Sequence, residues 1–145
     1  MSFTLDLNTA IENIKENRDD IIRGTISKVA TLNIKATPVG NPLEWAPQSL
    51  PAPKGYVGGS LRGAWQASIG APNFTKTGVI DKSGSATAAK ASAVASTLEM
   101  GQTYYLTNPL PYARRVEFGW SQQAPTGMLR NAIMLAQREL DRLAK

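Results

Sequence analysis

The chain has 145 residues and a formal net charge of +5, with 42% hydrophobic and 19% charged residues. This length and composition predict one folded domain with a core of its own. The chain contains neither His nor Cys. Their absence excludes disulfides, thiolate nucleophiles, His general bases and metal sites built from imidazole or sulfur.

The start of the chain has no basic segment followed by an apolar run, and no stretch approaches the length of a membrane span. We therefore expect no signal peptide, no membrane contact and folding in a reducing cytoplasm. Residues 1–72 carry seven basic and six acidic side chains, and residues 73–145 carry nine and five, so the basic excess lies in the second half. An excess of this size does not by itself predict a nucleic-acid-binding protein.

The first predicted element is a long helix from near Thr9 to near Lys35. Thr9 and Glu12 have the spacing of a capping box. Thr37-Pro38 is expected to end the helix, because the residue before a proline avoids the α region. An apolar stripe at helical spacing is predicted to face the core, and it consists of Ile11, Ile14, Ile21, Ile22, Ile26, Val29 and Leu32.

Residues 38–59 are predicted to form a long loop, since they include five prolines and four glycines. Loops of this length in compact domains are usually functional or disordered. Because Trp45 and Tyr56 lie within it, we expect this loop to become ordered against a neighbouring subunit or another partner.

The rest of the chain predicts short alternating elements. We expect a helical turn at 60–64, a strand at 65–69, a loop or hairpin at 73–84, a strand at 103–107, one or two helical turns at 112–118 and an amphipathic helix at 127–143. The Ala/Ser-rich segment 85–99 fits either a low-complexity linker or a helix, and the high helix propensity of alanine favours the helix.

This order predicts an α+β domain with a small, mostly antiparallel sheet, a long N-terminal helix, a central Ala-rich helix and a C-terminal helix. Strand periodicity predicts that Trp65, Ile69, Tyr105 and Leu106 meet the helical stripe in one core.

Sites for catalysis or cofactor binding are weakly indicated. Glu16, Asp19 and Asp20 have the spacing of one helix face and the chemistry to hold a hard cation, but we favour a solvated face paired with Lys15, Arg18 and Arg23. The segment 54–60 lacks the Gly-Lys-Ser/Thr ending of a phosphate-binding loop. No spacing singles out a Ser–Lys pair. We expect no catalytic residue, no cofactor and no metal.

The segment 112–120 is rich in arginine and aromatic residues, which are enriched at contact hot spots. It is interpreted either as a core-facing turn, in which Arg114 and Glu117 pair at i,i+3, or as a subunit interface. In the second interpretation Tyr112 and Phe118 anchor inward, and Arg115 and Glu117 project towards a neighbouring subunit. The predicted interface residues are Trp45, Tyr56, Tyr112, Arg114, Arg115, Glu117, Phe118 and Trp120.

Four segments carry a resemblance to a known family. They are Leu106–Ser121 (LTNPLPYARRVEFGWS), Gln123–Arg130 (QAPTGMLR), Thr37-Pro-Val39 and Gly59–Trp65 (GSLRGAW). Together they closely resemble a head–tail joining and tail-completion family of long-tailed bacteriophages, whose members are often labelled minor tail component or neck protein. The resemblance covers residues 37–130. It is interrupted where a proline-rich loop, residues 40–57, replaces the family's short acidic-threonine-glycine stretch.

The resemblance implies a non-enzymatic virion protein made in the cytoplasm of a host bacterium. Such a protein self-associates into a ring, which we expect to be a hexamer, at the junction of portal and tail. Its other partners are neighbouring connector and tail-tube or tail-terminator proteins. Double-stranded DNA passes through the lumen without sequence specificity, and Arg130, Arg138 and Arg142 are expected to face it. The alternatives are a small basic nucleic-acid-binding protein and, third, a carboxylate–metal hydrolase built on Glu16, Asp19 and Asp20.

Overall fold

The computed structural model describes residues 3–44 and 51–143, with side chains at 7–44 and 51–142. Its elements confirm the predicted α+β class, with a small antiparallel sheet among helices. In chain order they are α1 (Phe3–Ala36), a 3-10 turn (Pro42–Glu44), α2 (Ser60–Gly63), β1 (Gln66–Ile69), α3 (Ser85–Ser96), β2 (Tyr104–Thr107), α4 (Ala113–Glu117) and α5 (Leu129–Leu143).

Helix α1 is longer than the sequence indicated. It begins at Phe3, because no glycine or proline precedes Thr9 to interrupt it. The predicted capping box at Thr9 and Glu12 is therefore wrong, since both residues lie inside the helix. The predicted end is confirmed: the helix stops at Ala36, and the hydroxyl of Thr37 donates to the Asn33 carbonyl oxygen at 2.8 Å.

Only the second half of α1 enters the core. Ala30 and Ile34 are buried, whereas Ile14 and Ile21 are 68% and 66% exposed. The prediction that the whole apolar stripe faces the core is thus wrong for its first half. In its second half Ile26, Val29 and Leu32 are half-buried, and the buried residues Ala30 and Ile34 are not members of the stripe. The apolar periodicity continues along a helix that extends beyond the elements packed against it.

The two strands pair antiparallel, with Ala67 opposite Leu106 and Ser68 opposite Tyr105. Because side chains alternate along a strand, Leu106 shares the packed face with Ala67. Tyr105 points to the opposite face, so its predicted place in the core beside Leu106 is wrong. Ile69, at the end of β1, is half-buried.

In the described part of the chain, two clusters of buried core residues meet at Trp65. Small residues let α1 and α3 approach closely in the first cluster, which comprises Ala30, Ile34, Ala88 and Ala91. The second cluster comprises Leu61, Ala113, Ala124 and Met128. Trp65 packs against both clusters, and its indole N–H donates to Thr37 Oγ1 at 2.8 Å.

Helix α5 runs antiparallel to α1. Met128, just before α5, packs in the Trp65 cluster near the end of α1. Towards the other end of α5, Glu139 pairs with Lys28 at 3.2 Å. The residues of α1 before Arg23 therefore extend past the C-terminal end of α5.

Candidate functional site

The segments that carry the family resemblance converge on the end of α1. The Arg62 guanidinium donates to the carbonyl oxygens of Lys35, Thr37 and Lys82, with Nε–O of 2.8 Å to Thr37. Its bonds to Lys35 and Thr37 satisfy carbonyl groups at the end of α1 that the helix leaves without partners. Burial lowers the pKa of Arg62 from its usual value, and nearby Asp81 opposes that effect.

The glycines of the same segment allow close backbone packing. A Cβ atom at Gly63 would overlap the Val79 carbonyl oxygen, and Gly59 has a φ of 109°. Asn108, from the resembling segment Leu106–Ser121, donates to the Leu61 carbonyl oxygen at 2.8 Å. These residues fix the fold.

Asp81 has a structural role that the sequence reasoning missed. Its carboxylate accepts hydrogen bonds from the backbone N–H groups of Gly84 and Thr87 and from the hydroxyls of Ser83 and Thr87, at 2.8–3.1 Å. The Thr87 backbone bond, with the other three, outweighs burial and lowers the pKa of Asp81 to about 2. An Asp a few residues before an Ala-rich run is a helix-capping signal that the sequence contains.

Glu117 caps α5. Its carboxylate accepts hydrogen bonds from the backbone N–H groups of Met128, Leu129 and Arg130 at 2.7, 2.9 and 3.2 Å. Burial favours the neutral acid, but these bonds outweigh it and lower the pKa of Glu117. The predicted pairing with Arg114 is wrong, because Glu117 forms its ion pair with Arg130, at 3.3 Å. Its predicted role in a subunit contact stays a prediction.

Around this cap lies a group of exposed aromatic rings held against arginines. We define the arginine–aromatic patch as Arg114, Arg115, Phe118, Trp120 and Arg130. The guanidinium carbons of Arg114 and Arg130 lie 5.8 and 5.3 Å from the centre of the Phe118 ring, and that of Arg115 lies 5.1 Å from the Trp120 ring. Such distances are typical of cation–π contacts.

The patch faces outward. Phe118 and Trp120 are 65% and 75% exposed, so the predicted inward anchoring of Phe118 is wrong. Tyr112 is also exposed, and burial of part of its ring, with nearby Tyr56, raises its pKa. The interface prediction for Tyr56, Tyr112, Arg114, Arg115, Phe118 and Trp120 therefore concerns accessible residues, whereas Trp45 lies outside the described residues.

The basic residues of α5 do not form one group. Arg130 is engaged at the patch through Glu117 and Phe118. Arg138 and Arg142 are exposed and lie one helical turn apart, at the other end of α5. Their predicted orientation towards a DNA lumen stays a prediction.

Two residues of the acidic cluster on α1 are paired with neighbouring arginines on an exposed face, which is the arrangement that we favoured. Asp19 pairs with Arg18 at 3.0 Å and Asp20 with Arg23 at 3.4 Å. Among the described residues, no three acidic side chains come close enough to hold a metal ion.

The two clefts described next contain few charged side chains that could bind a ligand. One, of about 250 Å³, lies between α1 and α5, and its charged groups, Lys28 and Glu139, pair with each other. A second, of about 190 Å³, is lined mainly by apolar and neutral side chains with Lys90 at its edge. Within the ranges that the structure covers, no helix combines the length and hydropathy of a membrane-crossing segment.

No family model matches the chain, and searches of curated proteins and of solved structures found no match.

Proposed function

We propose that this protein is a structural subunit of a bacteriophage head–tail connector or tail-completion complex, and that copies of it form a ring around the DNA channel. The proposal starts from the sequence resemblance over residues 37–130. In it the protein has no catalytic role, and its surfaces recognise other protein subunits.

The observation that carries the proposal is the exposure of Phe118 and Trp120 in the segment where the resemblance is densest. A large aromatic ring exposed to water loses the free energy that its burial would provide. Aromatic and arginine residues are also those most often found at the centre of protein interfaces. The arginine–aromatic patch therefore has the composition expected of a subunit contact.

The roles of Arg62, Thr37 and Asn108 support the same proposal. Each is engaged in hydrogen bonds that join α1, α2 and the segment after β2. Residues of the resembling segments thus stabilise the fold that holds the arginine–aromatic patch at the surface. This arrangement is consistent with a protein that functions by assembling with other subunits.

The first experiment measures the mass of the purified chain by size-exclusion chromatography with light scattering, across a range of concentrations and in low and high salt. We expect a defined oligomer, visible by negative stain as a ring with a channel wide enough for duplex DNA. A monomer under all these conditions, or an open filament, would contradict the proposal.

A second candidate function is nucleic-acid binding by a small basic protein. The observation in its favour is the set of exposed arginines at Arg114, Arg115, Arg138 and Arg142, for which no acidic partner is found in the described part of the chain. It predicts measurable affinity for a duplex oligonucleotide that falls steeply with salt concentration, because phosphate contacts release counterions. Fluorescence anisotropy with a labelled duplex tests it, and a subunit that DNA merely passes should bind weakly.

A further inference from the structure

Helix α1 has an exposed part and a packed part, and the change between them occurs at Arg23. We define the exposed half as residues 7–22, in which every side chain is exposed except that of Asp19, which is half-buried. We define the body as the described chain from residue 23 onward. Most side chains of residues 23–34 are half-buried or buried, because α3 and α5 pack against this part of the helix. The exposed half therefore projects from the body for about 24 Å.

Gly24 directly follows this change. It is the only glycine or proline among the 34 residues of α1, and glycine weakens a helix interior more than any residue except proline. A Cβ atom at this position would meet no atom within 4 Å, and its φ is not among the positive values of the other glycines. Within the described chain, neither close packing nor an unusual φ therefore requires glycine here.

The next residue weakens the helix further. The hydroxyl of Thr25 donates to the Ile21 carbonyl oxygen at 2.8 Å, which is the oxygen that the Thr25 backbone N–H bonds in a regular helix. Such bonds, from a side chain to the carbonyl four residues earlier, often bend helices, and sharp kinks are found at pairs of glycine and serine. Gly24 and Thr25 thus form a weak point in α1, at the place where its packing begins.

A cleft beside this weak point leaves room for movement. It has a volume of about 250 Å³ and separates Gly24 and Thr25 of α1 from Leu140, near the C-terminal end of α5. Because the cleft lies on the α5 side of the helix, α1 can bend towards that side before side chains collide.

Arg23 opposes this movement from another side of the helix. Its Nε donates to the carbonyl oxygen of Leu98, just after α3, at 2.7 Å. Arg23 thus faces α3, whereas Gly24 lines the cleft towards α5. Bending towards α5 would move Arg23 away from Leu98, so this bond holds α1 straight.

We propose that α1 is hinged at Gly24 and Thr25, and that the bond from Arg23 to Leu98 is a latch. When the latch is released, the exposed half inclines towards the C-terminal end of α5. Hinges of this kind redirect an element through φ and ψ changes at a few residues. The inference depends only on α1 and the elements packed against it, so it is independent of whether the protein forms a ring.

The absence of Cys allows spin labels to be attached only at introduced cysteines. One label pair, Asn13→Cys with Lys90→Cys, spans the hinge, and a second, Lys90→Cys with Arg138→Cys, lies within the body. All three positions are exposed. Pulsed electron paramagnetic resonance measures the distribution of distances within each pair. The labelled full chains are diluted with unlabelled protein, so that distances between copies do not contribute.

In the parent we expect similar widths for the two distributions, because the latch holds α1 straight. Arg23→Gln should at least double the width across the hinge, since glutamine is a good helix former but lacks the guanidinium that bonds Leu98. Adding Gly24→Ala should return the width to that of the parent, because alanine favours the helix and its Cβ meets no atom. The body pair should not change in either variant.

Asn17→Ala is the matched control for helix propensity. Asn17 is exposed in the same helix but lies seven residues before the hinge, and alanine favours the helix there as well. Added to Arg23→Gln, it should leave the distribution across the hinge wide. Circular dichroism checks that every variant retains the helix content of the parent.

The other outcomes overturn the inference. A width in Arg23→Gln equal to that of the parent would show that α1 is a rigid rod. A wide distribution that Gly24→Ala leaves unchanged, or that Asn17→Ala narrows equally, would place the movement elsewhere in the helix. A parent distribution that is already wide across the hinge would show that the bond to Leu98 is not a latch. Oligomerisation is measured separately by size-exclusion chromatography, so none of these results decides the proposed function.

Discussion

Asp81 shows how one side chain fixes the start of an element. Four donors surround its carboxylate, and its pKa is about 2 against a usual value of 3.8. Since the folded-state pKa is lowered, its contribution is fully present above pH 3.8 and is lost as the pH falls towards 2. One pKa unit corresponds to 1.36 kcal/mol, so the ionised form contributes about 2 kcal/mol to the free energy of unfolding.

We therefore expect Asp81→Asn to lower the free energy of unfolding by about 2 kcal/mol at neutral pH. The difference between variant and parent should shrink as the pH falls from 4 to 2. Urea denaturation at several pH values measures both effects. A difference that stays constant over this range would show that the charge of Asp81 is not what stabilises the fold.

Glu117 provides a second prediction at the level of one residue. Its carboxylate holds three backbone N–H groups at the start of α5, so we expect Glu117→Ala to cost about 1–2 kcal/mol, as the loss of a helix cap does. Hydrogen exchange at residues 128–130 should accelerate. Glu99→Ala is the matched control, because Glu99 is exposed in a turn, and it should change stability by less than about 0.5 kcal/mol.

At the scale of elements, Trp65 joins two core clusters that separate parts of the chain supply. We expect Trp65→Ala to destabilise the protein by about 3–5 kcal/mol, because it removes a large ring from both clusters. Trp65→Phe retains most of the packing and loses the bond to Thr37 Oγ1, so a loss of about 1 kcal/mol is expected. Thermal and urea denaturation measure both, and a Trp65→Ala variant as stable as the parent would exclude Trp65 from the core.

The exposed first half of α1, residues 7–22, makes the opposite prediction. Because its side chains are exposed, deleting residues 1–20 should leave the unfolding free energy of the body within about 0.5 kcal/mol of the parent. Circular dichroism should register the lost helical residues without a change in midpoint. A large fall in midpoint at a concentration where both proteins are monomeric would mean that this part of α1 packs against the rest of its own chain.

At the scale of the whole molecule, we expect oligomerisation to depend on where a charge is changed more than on the net charge of the chain. Arg115→Glu and Arg138→Glu change the net charge equally, and both side chains are exposed. If subunits meet at the arginine–aromatic patch, Arg115→Glu prevents oligomerisation and Arg138→Glu does not. Equal losses of oligomerisation would point to net charge, and equal losses of duplex affinity to non-specific nucleic-acid binding.

If Arg115 and Glu117 of neighbouring subunits formed an ion pair, Glu117→Arg would be expected to restore the assembly lost in Arg115→Glu. That charge exchange cannot be used as a test here. The three N–H bonds that Glu117 accepts would lose their acceptor, so such a variant would unfold the start of α5 before it tested any interface.

The sequence by itself determined the kinds of element and their order. Local signals suffice there: the Thr37-Pro38 stop, the alanine-rich helix 85–96 and the alternation around residues 65–69 each depend on near neighbours along the chain. The absence of His and Cys likewise restricts the chemistry open to the protein, because composition alone decides which functional groups exist.

Only the tertiary structure decided which apolar residues are covered and which charges are paired. The predicted stripe on α1 runs from Ile11 to Leu32, but Ile14 is exposed and the buried Ile34 lies outside the stripe. Which side of the helix is covered, and over what length, depends on where α3 and α5 pack, which no local pattern encodes. Glu117 has an arginine at i−3 but pairs with Arg130, thirteen residues later, because the fold brings the start of α5 to it. Burial and pairing depend on contacts between distant segments, and these segments meet only when the whole chain packs.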